Sequence, residues 1–145
     1  MPKGLSTLEL LVAMAIIALV TAISIPTVRH LLDRIAVTQS AHEAATFIQA
    51  NRLNAVLTSR NIRLFFGLDE YTSHAESRTP AETDSLLLRW SGPRRLKVSL
   101  TVSRSVIRFQ PTGVGYGAAN TKLVFRRGKA TDSLSTSILG RVRRK

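Results

Sequence analysis

The 145-residue chain contains no cysteine, which excludes disulfide bridges, thiolate-ligated zinc and a thiol nucleophile. Histidine is scarce. His30, His42 and His74 lie far apart, and no two have the i, i+4 spacing that sets a pair of imidazoles on one helical face, so neither a metal nor a cofactor is expected. Acids are few and unevenly placed. Residues 1–88 carry seven Lys+Arg and eight Asp+Glu, whereas residues 89–145 carry fourteen and one; the excess behind the formal charge of +12 sits in the C-terminal part. A field of one sign fits an anionic partner, whether nucleic acid, anionic lipid or an acidic neighbouring protein. Aromatic residues in that part are limited to Trp90, Phe109, Tyr116 and Phe125. Any nucleic-acid contact would therefore run through phosphates rather than stacked bases and carry no sequence preference. No grouping of acid, base and nucleophile reads as catalytic, which favours a structural subunit over an enzyme.

What is present is one long apolar run. Leu5 to Ile25 comprises 21 residues in which Glu9 is the sole charge; at ~1.5 Å per residue it spans the ~30 Å hydrocarbon core of a bilayer. An ionised carboxylate there costs about 2–3 kcal/mol or more unless a cation meets it. Three readings fit: a secretory signal cut after Ala22-Ile23-Ser24, a plain anchor with Glu9 near the interface, or a segment whose carboxylate has a dedicated partner. Beyond Pro26, the residues Val28, Leu31, Leu32, Ile35, Ala41, Ala45 and Ile48 recur at steps of three and four, the period of an amphipathic helix. Pro26 removes one intrahelical hydrogen bond and is expected to kink or loosen the helix near the membrane exit without ending it. A helix from Leu5 to Arg60 would be roughly 80 Å long. No compact domain buries that length, so the first half belongs in lipid or among other helices and the second packs one stripe on a head.

From Ile62 onward the pattern is that of strands: Ile62–Phe66, Leu86–Trp90, an alternating stretch through Leu96, Val98, Leu100 and Val102, then Val106–Gln110, Lys122–Arg126 and Ser137–Arg143. Between them lie an acidic polar loop over Gly67–Ser85, a turn at Ser91-Gly92-Pro93, a glycine-rich hairpin loop over Pro111–Thr121 and a connection over Arg127–Ser133. The G-x-G-x-G spacing in that hairpin loop lacks a following helix and is not a phosphate loop. In the last strand, Ile138 and Val142 are expected to face inward with Gly140 between them, while Arg141 and Arg143 project from the other side about 6.6 Å apart. Two guanidiniums so placed each engage one phosphate. Arg126, Arg127, Arg144 and Lys145 complete the candidate nucleic-acid-binding set.

The leader Met1-Pro2-Lys3-Gly4, followed by LSTLELLVAMAIIALVTAISIP with Glu as the fifth residue after the Gly, resembles the class III signal of type IV pilins and type II secretion pseudopilins. Leu5 stands where that family usually carries Phe. The resemblance implies that a prepilin peptidase cuts between Gly4 and Leu5 on the cytoplasmic side and that the new N-terminus is methylated. It also implies that Glu9 is an assembly residue, pairing with the N-terminal amine of a neighbouring subunit. Such pairing turns the cost of a buried carboxylate into a drive and a register for assembly. The FQPTGVG and KLVFRRG segments and the terminal Gly140-Arg141-Val142-Arg143 extend the resemblance to the GspH/FimT group of minor pilins and pseudopilins, leaving the acidic loop unmatched. Some members of that group bind DNA in natural transformation through a C-terminal Gly-Arg-x-Arg element, and others are secretion pseudopilins.

The organisation implied is a leader (1–4), a transmembrane or filament-core helix half (5–25), an amphipathic helix half (26–60) and a β-rich periplasmic head (61–145). This is an α+β, type IV pilin-like fold, a long N-terminal helix packed on a mainly antiparallel β-sheet head. It would cross the inner membrane once, with the prepilin peptidase, other pilin or pseudopilin subunits and DNA as partners.

Overall fold

A helix of this length needs a start, a stop and two environments. In the computed structural model, which describes residues 6–77, 83–116 and 120–144, α1 (Thr7–Thr58) runs 52 residues and continues through Pro26, a length of about 78 Å. Ser6 caps its start, the Ser6 Oγ accepting the Leu8 N–H at 3.4 Å, and Glu9 occupies the first turn, where the helix dipole favours an anion. Ser59 stops it in the left-handed conformation (φ 51°), its N–H returned to the Ala55 and Val56 carbonyls. No residue in the most apolar window of the first half is buried, and the helix is long and apolar enough there to cross a membrane.

The head consists of two antiparallel sheets. The first has the order β3-β2-β1-β5-β6, built from β1 (Ile62–Phe66), β2 (Glu70–Ala75), β3 (Ser85–Ser91), β5 (Val106–Phe109) and β6 (Gly115–Tyr116). The second has the order β4-β7-β8-β9, from β4 (Ser99–Val102), β7 (Lys122–Arg127), β8 (Ala130–Thr136) and β9 (Val142–Arg144). The upper half of α1 packs on both. Its buried stripe is Ala36, Val37, Ala41, Ala44, Phe47, Ile48 and Ala55, and the four alanines let the helix lie close to the strands. Ile62, Leu64 and Ile107 meet it from the first sheet, and Leu123, Phe125 and Leu134 from the second. Phe47 is the centre of an aromatic cluster, its ring 6.0 Å from Phe66, 5.7 Å from Tyr71 and 5.5 Å from Trp90. Burial, with Glu43 adding to it, pushes the Tyr71 phenol well above its ordinary range, so that the core ring stays neutral.

Several sequence expectations are corrected here. Ala41 and Ile48 are buried as expected, but Val28, Leu31, Leu32 and Ile35 are 52–58% exposed. They belong to a second apolar face, turned away from the head, and their three- and four-residue steps join the two faces into one apparent stripe. The supposed loop over Gly67–Ser85 contains β2, whose Tyr71, Ser73 and Ala75 are buried; two of those inward residues are small, which leaves little hydrophobic alternation to detect. Part of that segment (78–82) lies outside the described residues, as do 117–119 of the hairpin loop. Leu96 closes a 3-10 turn, Pro93–Leu96, because Pro93 presets a helical φ, and the strand starts at Ser99. The connection over Arg127–Ser133 is a tight turn at Gly128-Lys129 running directly into β8. Replacing Phe47 by Ala is expected to cost about 3–5 kcal/mol, measured by urea unfolding of the detergent-solubilised chain with the single tryptophan, Trp90, as the fluorescent probe.

Candidate functional site

Charge pairing divides the polar residues into those the fold uses and those it leaves to partners. Asp33 meets Arg127 at 2.7 Å, Glu43 meets Arg95 at 2.8 Å, Asp69 meets Arg94 at 2.8 Å, and Glu70 meets Arg89 at 3.1 Å. Arg63 holds both Glu76, at 3.1 Å, and Asp84, and Arg144 holds Asp132 at 2.6 Å. Among the described residues Glu9 is the one carboxylate with no ion pair. It lies one turn into α1 among exposed Leu8, Leu10, Leu11 and Val12. The processing residues Gly4 and Leu5, and Lys145 at the other terminus, lie outside the described residues.

The C-terminal residues form a hairpin instead of one strand. Ser137 N–H donates to the Arg141 carbonyl at 2.9 Å, Gly140 N–H to the Ser137 carbonyl at 2.9 Å, and Arg141 N–H to Ser137 Oγ at 3.2 Å; β9 begins only at Val142. The cause is Gly140, whose φ of +71° is one that residues with a Cβ rarely adopt and whose added Cβ would lie 2.6 Å from Arg52 Nε. Arg52 Nε in turn donates to the Gly113 carbonyl at 2.9 Å. The β5–β6 loop is joined to the hairpin by the Gly115 N–H on the Ile138 carbonyl at 2.7 Å. Ile138 consequently sits 49% exposed in the turn, and Val142 alone of the expected inward pair packs on the core. Arg52 and Gly113 escaped the sequence reading. A long-range contact from helix to loop has no local signature, and the positive-φ glycines were its nearest hint.

The six arginine and lysine candidates separate by strand alternation. Leu123, Phe125 and Arg127 point toward α1, and Arg127 is held by Asp33 and by the Leu96 carbonyl at 2.7 Å. Arg144, opposite buried Leu134, turns the same way to Asp132. Neither has its charge free. Arg126, Arg141 and Arg143 are exposed and make no ion pair among the described residues. On the outer face of the second sheet Arg143 stands opposite Ser135, and Ser135 opposite Lys122, which puts the two cations about 10 Å apart across alternate strands. Arg126, flanked by Ser99 and Thr131, lies four residues further along β7, about 13 Å from Lys122. Hydroxyls and cations dominate this face, and no described carboxylate lies on it. Among the described residues no group of three His, Asp or Glu side chains is placed to hold a metal.

No curated protein sequence matches the chain. In solved structures, the type IV minor pilin FimU of Pseudomonas aeruginosa is similar in fold. One crystal form superimposes with a TM-score of 0.64 at 15% identity, covering 79% of this chain and 92% of FimU, and a second with 0.59 at 14%, covering 74% and 91%. The α+β architecture expected from sequence, a long N-terminal helix on antiparallel sheets, is thus the pilin fold. The model of the family described as type II transport protein GspH matches residues 40–140, and with more than half of its length so matched the chain belongs to the GspH family.

Proposed function

We propose that the chain is a minor subunit of a type IV pilus or type II secretion filament, held in the inner membrane by α1 until Glu9 draws it into the filament. One observation carries this reading: the single described carboxylate without a cation stands on a helix half whose large apolar side chains, among the described residues, are exposed. Cutting by the prepilin peptidase after Gly4 frees the Leu5 amine, and methylation leaves it cationic. A carboxylate in lipid is costly, whereas the same carboxylate beside a neighbour's ammonium is compensated, so the gain is largest when the subunit enters in register. The second apolar face, Val28, Leu31, Leu32 and Ile35, continues the surface that helices of neighbouring subunits would cover.

The finer part of the proposal is that the outer face of the second sheet and the terminal hairpin bind DNA, serving natural transformation. Arg126, Arg141, Arg143 and Lys122 support it because they are exposed and make no ion pair among the described residues; Arg127 and Arg144 are set aside by their internal partners. The second reading, a pseudopilin scaffold for protein secretion, is favoured by the family match and assigns the same face to an acidic neighbouring subunit.

Replacing Glu9 by Ala is expected to leave membrane insertion unchanged or improved and to lower filament incorporation about tenfold or more, the consequence of losing one buried ion pair. Membrane flotation and co-purification with sheared filaments measure the two effects, and normal incorporation contradicts the assembly role. For DNA, the joint change Arg141→Gln and Arg143→Gln should weaken binding and flatten the slope of log K against log salt by about two units. The unfolding midpoint should not move, since neither side chain has an internal ion pair. If the wild-type protein shows no salt-sensitive DNA binding, the receptor reading falls and the scaffold reading stands.

A further inference from the structure

The opposite end of the head carries a second set of unpaired cations, and its position along α1 identifies what it faces. The β7–β8 turn, Gly128-Lys129, touches the helix at Asp33: a Cβ on Gly128 would lie 2.6 Å from Asp33 Oδ2, and Arg127 Nε is 2.7 Å from Asp33 Oδ1. Asp33 is eight residues beyond Ile25, the last residue of the apolar run, and therefore about 12 Å above the hydrocarbon edge. The headgroup layer fills roughly the first 5–8 Å of that gap. Arg29, one turn below Asp33 on the same helical face, falls inside this layer beneath the head. Arg34 flanks it, and Lys129 extends from the turn above.

All three side chains are exposed and have no ion pair among the described residues, while the nearby carboxylates are already engaged, Asp33 by Arg127 and Asp132, which lines one cavity with Arg34, by Arg144. Exposed Lys97 stands behind this rim, next to the Leu96 carbonyl that accepts from Arg127 NH1. On the side of α1 away from the head, the apolar face continues to Ile35. A hydrophobic face from Leu8 to Ile35 measures about 40 Å, longer than the ~30 Å hydrocarbon core, so the helix can tilt or shift with little change in buried apolar length, and the depth is left to the cations on the head side that reach phosphates.

We infer that the rim formed by Arg29, Arg34 and Lys129 docks on anionic phospholipid headgroups and sets the depth and orientation of the subunit waiting in the membrane. The inference rests on the membrane-held state proposed above. It concerns a different surface from the one assigned to DNA, and the two are separable because Lys122 lies at the far end of the same sheet. A charge-selective rim would hold the head against the bilayer and release it when the helix is extracted into a filament.

The test is amine acylation of the full chain in nanodiscs, read at individual lysines by mass spectrometry. Discs of phosphatidylcholine alone are compared with discs containing phosphatidylglycerol. In the anionic discs at low salt, Lys129 should react at least threefold more slowly relative to Lys122 than in neutral discs. High salt or the joint change Arg29→Gln and Arg34→Gln should abolish the difference. An unchanged Lys129 to Lys122 ratio in chains that have entered the discs overturns the rim, as does equal protection of Lys122. Failure to enter discs of either composition overturns the membrane-held state and the rim with it.

Discussion

The structure depends on a mismatch between a 52-residue helix and a head that covers one face of its upper half. Below about Asp33 the large apolar side chains among the described residues are exposed, and they require lipid or other helices. The monomer is therefore incomplete by construction. In the function proposed above, its two surroundings, bilayer and filament, differ in one respect that matters to Glu9: only the second would supply a cation from a neighbour. On that proposal, a residue that is a liability in one environment and satisfied in the other would bias the transfer between them.

The upper half solves a different problem. Alanines at 36, 41, 44 and 55 bring α1 close to two sheets at once, and Phe47 fills the gap at the level of Phe66, Tyr71 and Trp90. Carboxylates are spent on ion pairs that add little stability at a surface. Their effect lies in subtraction, since they neutralise Arg127, Arg144, Arg94 and Arg95 and leave unpaired cations among the described residues at two places, the outer face with the terminal hairpin and the rim at Arg29, Arg34 and Lys129.

How much of this was legible in the sequence follows from how local each signal is. The long helix was plain because its apolar run and its three- and four-residue steps are local. The assignment of Val28 to Ile35 to the head-facing stripe failed because periodicity states a spacing and not which face meets the sheet. β1, β5 and β7 were readable from β-branched and aromatic runs and β3 from its three leucines and Trp90, whereas β2 and β8 bury Ser73, Ala75, Ala130 and Asp132, residues with little hydrophobic signature. The terminal arginines were found, but their sorting into free and paired sets was not, because Asp33 and Asp132 reach Arg127 and Arg144 through tertiary contacts. Gly140 was read as a spacer within a strand; its positive φ closes a turn, and the side chain packed where its Cβ would be, Arg52, lies far away in sequence.

The central claim is that Glu9 has its partner in an amine the chain does not yet possess, one created by cleavage after Gly4. Intact-mass and N-terminal analysis of the protein recovered from its native membrane tests this most directly. The account predicts a mature chain beginning at Leu5 with one added methyl group. A chain that retains Met1, or one that begins at Ile25 as a secretory signal would leave it, contradicts the account.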